Sequence, residues 1–192
     1  MTLKRDVVEV QPGFASREAG LFIAQLVTLS SYLIEDLADI TPAELQWQPA
    51  PGMNTIGMLL AHIAIVEVFW FQIGVLGAPE STDPVLGIGG DDDGMPLAAG
   101  GAPPAGLAGK SFSFYQDLLD RARAFARRTA LSLTDASLDT ARERVRKNGD
   151  RQQFNVRWVI FHVLEHQAGH YGQILALRHQ YHDRSGASTG TA

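Results

Sequence analysis

Apolar side chains recur at steps of three and four residues in four separate stretches of the chain. This spacing places them on one face of an α-helix. The stretches cover approximately residues 16–39, 55–73, 113–129 and 155–181. In the same order, the apolar positions of the four stretches are Phe22, Leu26, Leu29, Leu33 and Leu37 in the first; Leu59, Ile63, Val66, Trp70 and Ile73 in the second; Leu118, Ala122 and Phe125 in the third; and Val159, Val163, Ile174 and Leu177 in the fourth. The pattern predicts four long helices.

Short polar signals mark where these helices begin. Thr41-Pro42-Ala43-Glu44 combines an N-cap, a proline at the first helical position and the glutamate of a capping box, and predicts one additional short helix. Asn54 or Thr55 is expected to cap the second long helix, directly after the breaker Pro51-Gly52. Ser113-Phe114-Tyr115-Gln116 fits a capping box that opens the third long helix.

Two segments lack a helical period. Residues 78–110 are rich in Gly, Pro and Asp, and we expect a long irregular crossover that is either a lid or disordered. Residues 131–153 are expected to form a connection with one extended or helical piece. Because no convincing period-two strand is present, the predicted fold class is all-α. The architecture that fits is a four-helix bundle with a long irregular crossover loop.

Length and composition are those of one globular domain. The chain has 192 residues, of which 45% are hydrophobic and 19% are charged. It can therefore bury an apolar core, and a wholly disordered chain is excluded. We expect a single helical domain over residues 1–183. Residues 184–192 are small and polar and are expected to form a flexible C-terminal tail.

The net charge and the absence of cysteine exclude several classes of partner and site. The net charge of -5 provides no basic field for phosphate backbones, so no nucleic-acid partner is expected. The absence of cysteine excludes disulfides, thiolate metal sites and a cysteine nucleophile. The N-terminus has no apolar signal-peptide core, and no later run is judged apolar enough to span a bilayer. We therefore expect a cytoplasmic protein with no membrane partner.

Histidines supply the candidate chemistry. His162, His166 and His170 recur at four-residue steps and therefore share one side of the last helix. Two imidazoles one helical turn apart can bind a single first-row metal ion. His62 interrupts the apolar stripe of the second helix and should point inward as a third ligand. The sequence predicts a metal site formed by His62, His166 and His170.

Other interpretations of these histidines stay open at this point. Each could be a core residue that hydrogen-bonds a carbonyl or hydroxyl. His162 could replace one of the ligands, support the ligands or act as a catalytic base near the site, or pack against a neighbouring helix. His179 and His182 are expected to be solvated. Gln167 stands where the zinc peptidase motif H-E-x-x-H carries its glutamate base, which argues against a peptidase.

Two segments together resemble a known family. They are NTIGMLLAH, residues 54–62, and FHVLEHQAGHYGQI, residues 161–174. In order and spacing the chain is similar to the DinB/YfiT-like metalloenzyme superfamily over nearly its whole length. The resemblance implies a four-helix bundle, often dimeric, with a divalent metal held by His62, His166 and His170. It also implies relatives that are transferases or isomerases using low-molecular-weight thiols such as bacillithiol, mycothiol or glutathione.

The leading functional hypothesis is a metal-dependent transferase that joins a low-molecular-weight thiol to a small-molecule electrophile. Nitrogen ligands make zinc or nickel the expected divalent metal, although iron and copper also suit them. One alternative is a metal-dependent hydrolase with Glu67 or Glu165 as proton carrier, although each glutamate is more often a solvated helix residue. Another is a non-enzymatic stress-related protein that binds a metal or a small ligand.

Two further expectations concern surfaces. Asp91-Asp92-Asp93 in the long loop could approach a cation, but a solvated turn is the preferred interpretation. Phe69, Trp70 and Phe71 are consecutive and cannot all face one core stripe. Either a partner or the long loop must cover the surplus aromatic surface. Together with the family resemblance, this predicts a homodimer.

Overall fold

The computed structural model describes residues 7–146 and 148–187, and most of them are helical. The long helices are α1 (Arg17–Asp36), α3 (Ile56–Trp70), α5 (Phe112–Ala130) and α7 (Val156–Ala187). The short helices are α2 (Pro42–Gln46), α4 (Asp83–Leu86) and α6 (Asp135–Leu138). A π-helical turn over Phe71–Leu76 continues α3, and Ala105–Leu107 forms a 3-10 turn. The strands are β1 (Ala141–Val145) and β2 (Arg151–Asn155).

Side-chain caps explain where most helices begin. The predicted capping box of α2 is confirmed, since Thr41 and Glu44 each bond the other's backbone N–H. Thr55, not Asn54, caps α3 by accepting a hydrogen bond from the Met58 amide. The capping box predicted at Ser113 is wrong, because α5 begins at Phe112 and its N-cap is Ser111, two residues before the predicted cap.

Helix α3 lies at the centre of the fold. It packs against α5 and α7, and α1 packs against the same two helices. The sequence predicted one apolar stripe on α3, but the helix is buried on almost every side. Leu59 and Ile63 contribute to an apolar cluster near one end of the helix, and Trp70 contributes to a second cluster at the other end. A polar side chain on α3 therefore either points into the core or lies at its edge.

The mostly helical fold agrees with the all-α prediction, and the small antiparallel hairpin β1–β2 is an addition that the prediction did not include. Ala141 pairs with Asn155 and Val145 with Arg151, so the two strands are fully in register. Apolar alternation is missing because the partly buried positions of β1 are Arg142 and Arg144. The Arg144 guanidinium lies 4.4 Å from the centre of the Trp70 ring and covers it.

The hairpin also accounts for the consecutive aromatic residues. Trp70 and Phe71 are buried, and Phe69 is partly exposed below Arg144. Phe154 of β2 packs edge-on against Trp70, with 5.4 Å between the ring centroids. Neither a partner chain nor the long loop is needed to cover these rings. The aromatic residues therefore no longer support the homodimer prediction, which now rests on the family resemblance.

The long crossover packs against the helices. Leu86 and Leu107 are buried in the apolar cluster around Leu59. The Gln46 and Gln48 side chains donate hydrogen bonds to the carbonyls of Leu107 and Gly101. Residues 78–110 thus pack on the helices through a few buried side chains, and they carry α4 and one 3-10 turn.

The end of the chain differs slightly from expectation. Helix α7 begins at Val156, with Asn155 accepting a hydrogen bond from the Trp158 amide, and it extends to Ala187. Residues 184–187 therefore continue the helix, and the rest of the predicted flexible tail, 188–192, lies outside the described residues. The single domain over residues 1–183 stays a prediction.

The prediction that no run of residues is apolar enough to span a bilayer is wrong for one segment. Among the described residues, Ile56–Leu76 is long and apolar enough to cross a membrane by length and composition. Most of this segment is buried inside the protein, as expected for the core helix of a soluble protein. The cytoplasmic location stays a prediction.

The hairpin should contribute measurably to stability through Phe154. Phe154→Ala should lower the free energy of unfolding by about 3 kcal/mol, because it removes a buried ring from beside Trp70. Val145→Ala is the matched control on the partner strand, since Val145 is 67% exposed, and it should change stability by less than about 0.5 kcal/mol. Urea titration followed by circular dichroism measures both. Equal small effects would show that the hairpin is not coupled to the core.

Candidate metal centre

Helices α3 and α7 bring three histidines together at their contact. His62 lies on α3, and His166 and His170 lie one turn apart on α7. The Nε2 atom of His166 is 3.1 Å from Nε2 of His62 and 3.0 Å from Nε2 of His170. The three candidate ligand atoms all lie within 4.8 Å of one another, and each side chain is partly buried. This group could hold a metal ion.

The distances suit a small tetrahedral centre. Metal–nitrogen bonds of about 2.0–2.1 Å at tetrahedral angles place two ligand nitrogens roughly 3.3 Å apart. The observed separations of 3.0 and 3.1 Å around His166 are only a few tenths of an ångström shorter. The ligand atoms of His62 and His170 lie within 4.8 Å of each other, so movement of these two rings about His166 would allow all three nitrogens to bind one ion.

Hydrogen bonds on the far side of two rings orient their free nitrogens. The Nδ1–H of His62 donates to a carboxylate oxygen of Asp93 at 2.7 Å, because an ionised carboxylate can only accept. The Nδ1–H of His170 donates to Oε1 of Gln173 at 2.8 Å. Both rings then carry their lone pair on Nε2, facing the centre of the group. Metal-binding histidines in proteins are commonly held by such outer partners.

Asp93 is the functional residue that the sequence interpretation missed. A solvated turn was expected for Asp91-Asp92-Asp93, and Asp91 and Asp92 are indeed exposed. Asp93 is buried, however, and its second oxygen accepts the Met95 amide at 2.9 Å. The acidic run itself was a signal, but only the folded loop shows which of the three carboxylates turns inward.

The protonation states of His166 and His170 favour binding of a cation. Burial, together with the neighbouring His170, His62 and His162, lowers the pKa of His166 to about 3. Burial also lowers the pKa of His170, partly offset by its hydrogen bond to Gln173. Both rings are therefore neutral at physiological pH, which is the form that binds a metal.

His162 lies beside the three-histidine group but outside it. Its ring stacks on Trp158 at 4.7 Å between centroids, with 8° between the ring planes. It also meets the Trp70 ring edge-on, and its centroid is 6.1 Å from that of His166. Of the alternatives considered for His162, packing against neighbouring aromatic residues describes these contacts best.

The two candidate glutamates occupy very different environments. Glu165 is exposed on α7, and its carboxylate is 3.4 Å from Nδ1 of His162. Glu67 is fully buried, so the expectation that it is solvated is wrong. Burial raises the pKa of Glu67, and the guanidinium of Arg123 at 3.1 Å opposes that rise.

Arg123 connects Glu67 to the neighbour of His166. Its Nη2 donates to Oε1 of Gln167 at 2.8 Å and to the Ser30 hydroxyl at 3.0 Å. Gln167 donates in turn to Ser30 at 2.8 Å. The residue in the position of the peptidase glutamate therefore points into this buried polar network, and its side chain is fully committed there.

The remaining histidines are exposed near the end of α7. His179 pairs with Asp183 one turn later at 3.3 Å. His182 reaches the buried carboxylate of Glu44 at 2.8 Å. Their exposed fractions of 79% and 58% agree with the expected solvated positions.

Asp93 should strengthen metal binding through His62. Asp93→Asn should weaken zinc affinity by about 10- to 100-fold, because the carboxylate that orients the ring and increases its basicity is lost. Asp91→Asn is the matched control in the same loop, and its affinity should equal that of the wild-type protein. Competition with a chromophoric chelator measures both constants. Equal affinities for all three proteins would show that Asp93 does not act on the centre.

Comparison with known proteins agrees with this arrangement. The chain matches no curated protein. Residues 25–174 match the family model described as the DinB superfamily. The matched segment contains the three histidines as well as Asp93, and it makes up well over half of the 192-residue chain. This protein belongs to the DinB superfamily.

Proposed function

We propose that the protein is a metal-dependent transferase that uses a low-molecular-weight thiol to attack a small-molecule electrophile. The observation that carries the proposal is the convergence of three imidazoles, those of His62, His166 and His170, on one point. A divalent ion held there supplies Lewis acidity that lowers the pKa of a thiol and favours the nucleophilic thiolate.

The number and type of ligands support a reactive centre. Among the described residues the group consists of three histidines. Structural zinc sites normally have four protein ligands, whereas catalytic sites leave one position for substrate. Nitrogen ligation also favours zinc or nickel, which we propose as the metal. The thiol must come from outside because the chain has no cysteine.

The hydrolase alternative has less support in the surroundings of the histidines. A hydrolase needs a proton carrier beside the attacking water. Glu67 faces Arg123 in the buried network, and Glu165 is exposed beside His162. Gln167 cannot take up a proton, and its amide is held by Arg123 and Ser30. None of these side chains is placed as a base for water at the histidines.

The overall assembly is part of the same proposal. We interpret the four long helices as a four-helix bundle, because α1 and α3 each pack against both α5 and α7.

We further propose a cytoplasmic homodimer. An exposed side of α7 carries Phe161, Ala168, Gly172 and Leu175, which lie within about 60° of one another around the helix. Small residues between two apolar side chains allow a second copy of the helix to approach closely.

Metal content and thiol binding test the proposed activity. The wild-type protein should bind one zinc or nickel ion per chain, and His170→Ala should abolish this binding while its helical content is retained. His179→Ala is the matched control on the same helix and should bind normally. Elemental analysis and circular dichroism give these results.

Turnover completes this test. The cobalt(II)-loaded protein should change its visible absorption when a thiol is added, and it should conjugate members of an electrophile panel only in the presence of thiol. Metal binding without any thiol-induced change would contradict the transferase and favour a non-enzymatic metal-binding protein. Thiol-independent turnover of esters or amides would instead support the hydrolase.

The dimer is tested separately on α7. Sedimentation equilibrium at micromolar concentration should give twice the monomer mass of 20.8 kDa. Leu175→Arg should sediment as a monomer, because it places a charge in the apolar side of α7. Val145→Arg is the control, since Val145 is an exposed apolar residue on the hairpin, and it should remain dimeric. A monomeric wild-type protein would rule out this assembly.

A further inference from the structure

An open cleft of about 430 Å³ lies between the end of α3 and strand β1. Its apolar wall is formed by Phe69, Ile73 and Val145, and two cationic side chains, Arg144 and Arg146, also line it. The volume falls in the usual range for small-molecule sites. Among the described residues, its lining includes none of the three candidate metal ligands, so the cleft is separate from the metal centre.

The two arginines converge on one neutral acceptor. Oε1 of Gln152 accepts a hydrogen bond from Nε of Arg144 at 2.9 Å and another from Nε of Arg146 at 3.3 Å. Two positive charges are therefore held close together. Among the residues that the structure describes, no carboxylate forms an ion pair with either guanidinium. The Nη atoms of both groups can therefore donate to an anion in the cleft.

Aromatic rings hold the guanidinium of Arg144 in place. It lies 4.4 Å from the centre of the Trp70 ring and 5.6 Å from that of Phe69. Burial and the neighbouring Arg146 lower the pKa of Arg144, but an arginine stays charged at physiological pH. A cation that is partly desolvated and already oriented binds a carboxylate more strongly than a mobile, solvated one.

Packing on the aromatic rings does not account for Arg146. This side chain is exposed, and in the described part of the chain its contact with Gln152 is the one hydrogen bond that it makes. Covering Trp70 requires Arg144 alone. The second cation adds repulsion to the hairpin, and an anion bound between the two guanidiniums would remove that repulsion.

The remaining features of the cleft define the anion. A guanidinium matches the geometry of a carboxylate, and the apolar wall suits a ligand with an apolar body. The Glu80 carboxylate also lines the cleft and attracts Arg144, which disfavours a ligand with several negative charges. The net charge of -5 likewise disfavours extended polyanions.

We propose that this cleft is a binding site for a small apolar monocarboxylate. The carboxylate accepts hydrogen bonds from Arg144 and Arg146, and the apolar body packs against Phe69 and Ile73. The site goes beyond the proposed transferase function and does not require the metal ion.

A matched pair of probes tests the site. 2-Naphthoate and 2-naphthamide share one ring system and differ in charge, and calorimetry measures their binding to the zinc-loaded full chain. The acid should bind at least about tenfold more tightly than the amide, because it gains charge-assisted hydrogen bonds. Arg146→Gln should weaken binding of the acid by about three- to fivefold, the usual effect of losing one partly exposed ion pair.

Two further variants make the test specific. Glu80→Gln should strengthen binding of the acid by about twofold, because it removes a like charge from the cleft. Arg151→Gln is the matched control, since this arginine lies on the same hairpin but is 73% exposed and already paired with Glu143. It should bind the acid like the wild-type protein. Equal affinity of the wild-type protein and Arg146→Gln for the acid would overturn the assignment, as would equal weakening in Arg146→Gln and Arg151→Gln.

The metal centre is excluded as the binding site with one more variant. His170→Ala is expected to lose the metal ion, yet it should bind 2-naphthoate as tightly as the wild-type protein does. If binding is lost in His170→Ala and retained in Arg146→Gln, the acid binds at the metal and the cleft assignment is wrong. The transferase proposal does not depend on this result, because it is tested with thiols.

Discussion

The relative positions of the long helices depend on one buried polar contact. Arg123 of α5 lies between Glu67 of α3 and Gln167 of α7, and it also donates to Ser30 of α1. Each long helix thus contributes one polar side chain to this contact. Buried groups of this kind are costly unless they meet, so they disfavour any sliding of the helices. Because Gln167 adjoins His166, the same contact lies directly beside the three-histidine group.

The three-histidine group is a second polar cluster between the long helices, and it could hold a metal ion. Three imidazole nitrogens converge at 3.0 and 3.1 Å around His166, and burial keeps His166 neutral. Asp93 and Gln173 bond Nδ1 of His62 and His170 and thereby direct the Nε2 atoms of both rings at His166. Polar side chains held this close together in a partly buried position are typical of functional sites.

The long crossover contacts both the three-histidine group and the turn that precedes α3. It supplies Asp93 to His62 and also packs on Gly52, whose amide donates to the Gly101 carbonyl at 2.8 Å. Gly52 has a positive φ of 88°, and a Cβ atom there would lie 2.9 Å from the Gly100 nitrogen. Only glycine therefore allows the loop to approach so closely. A segment that has no periodic pattern in the sequence thus contacts a candidate ligand and packs against the turn before α3.

Local periodicity was sufficient to predict the four long helices, the α2 capping box and the pairing of His166 with His170. Such features depend on residues three or four apart, where helix geometry alone decides which side chains are neighbours. Contacts between distant residues were decided only by tertiary packing. Asp93 reaches His62 across 31 residues, and Arg123 meets Glu67 inside the core. The hairpin was missed because Arg144 faces inward, where its guanidinium covers Trp70 and no apolar alternation is required. Sequence spacing determined which residues share a helix face, whereas the packing of those helices determined which polar groups meet.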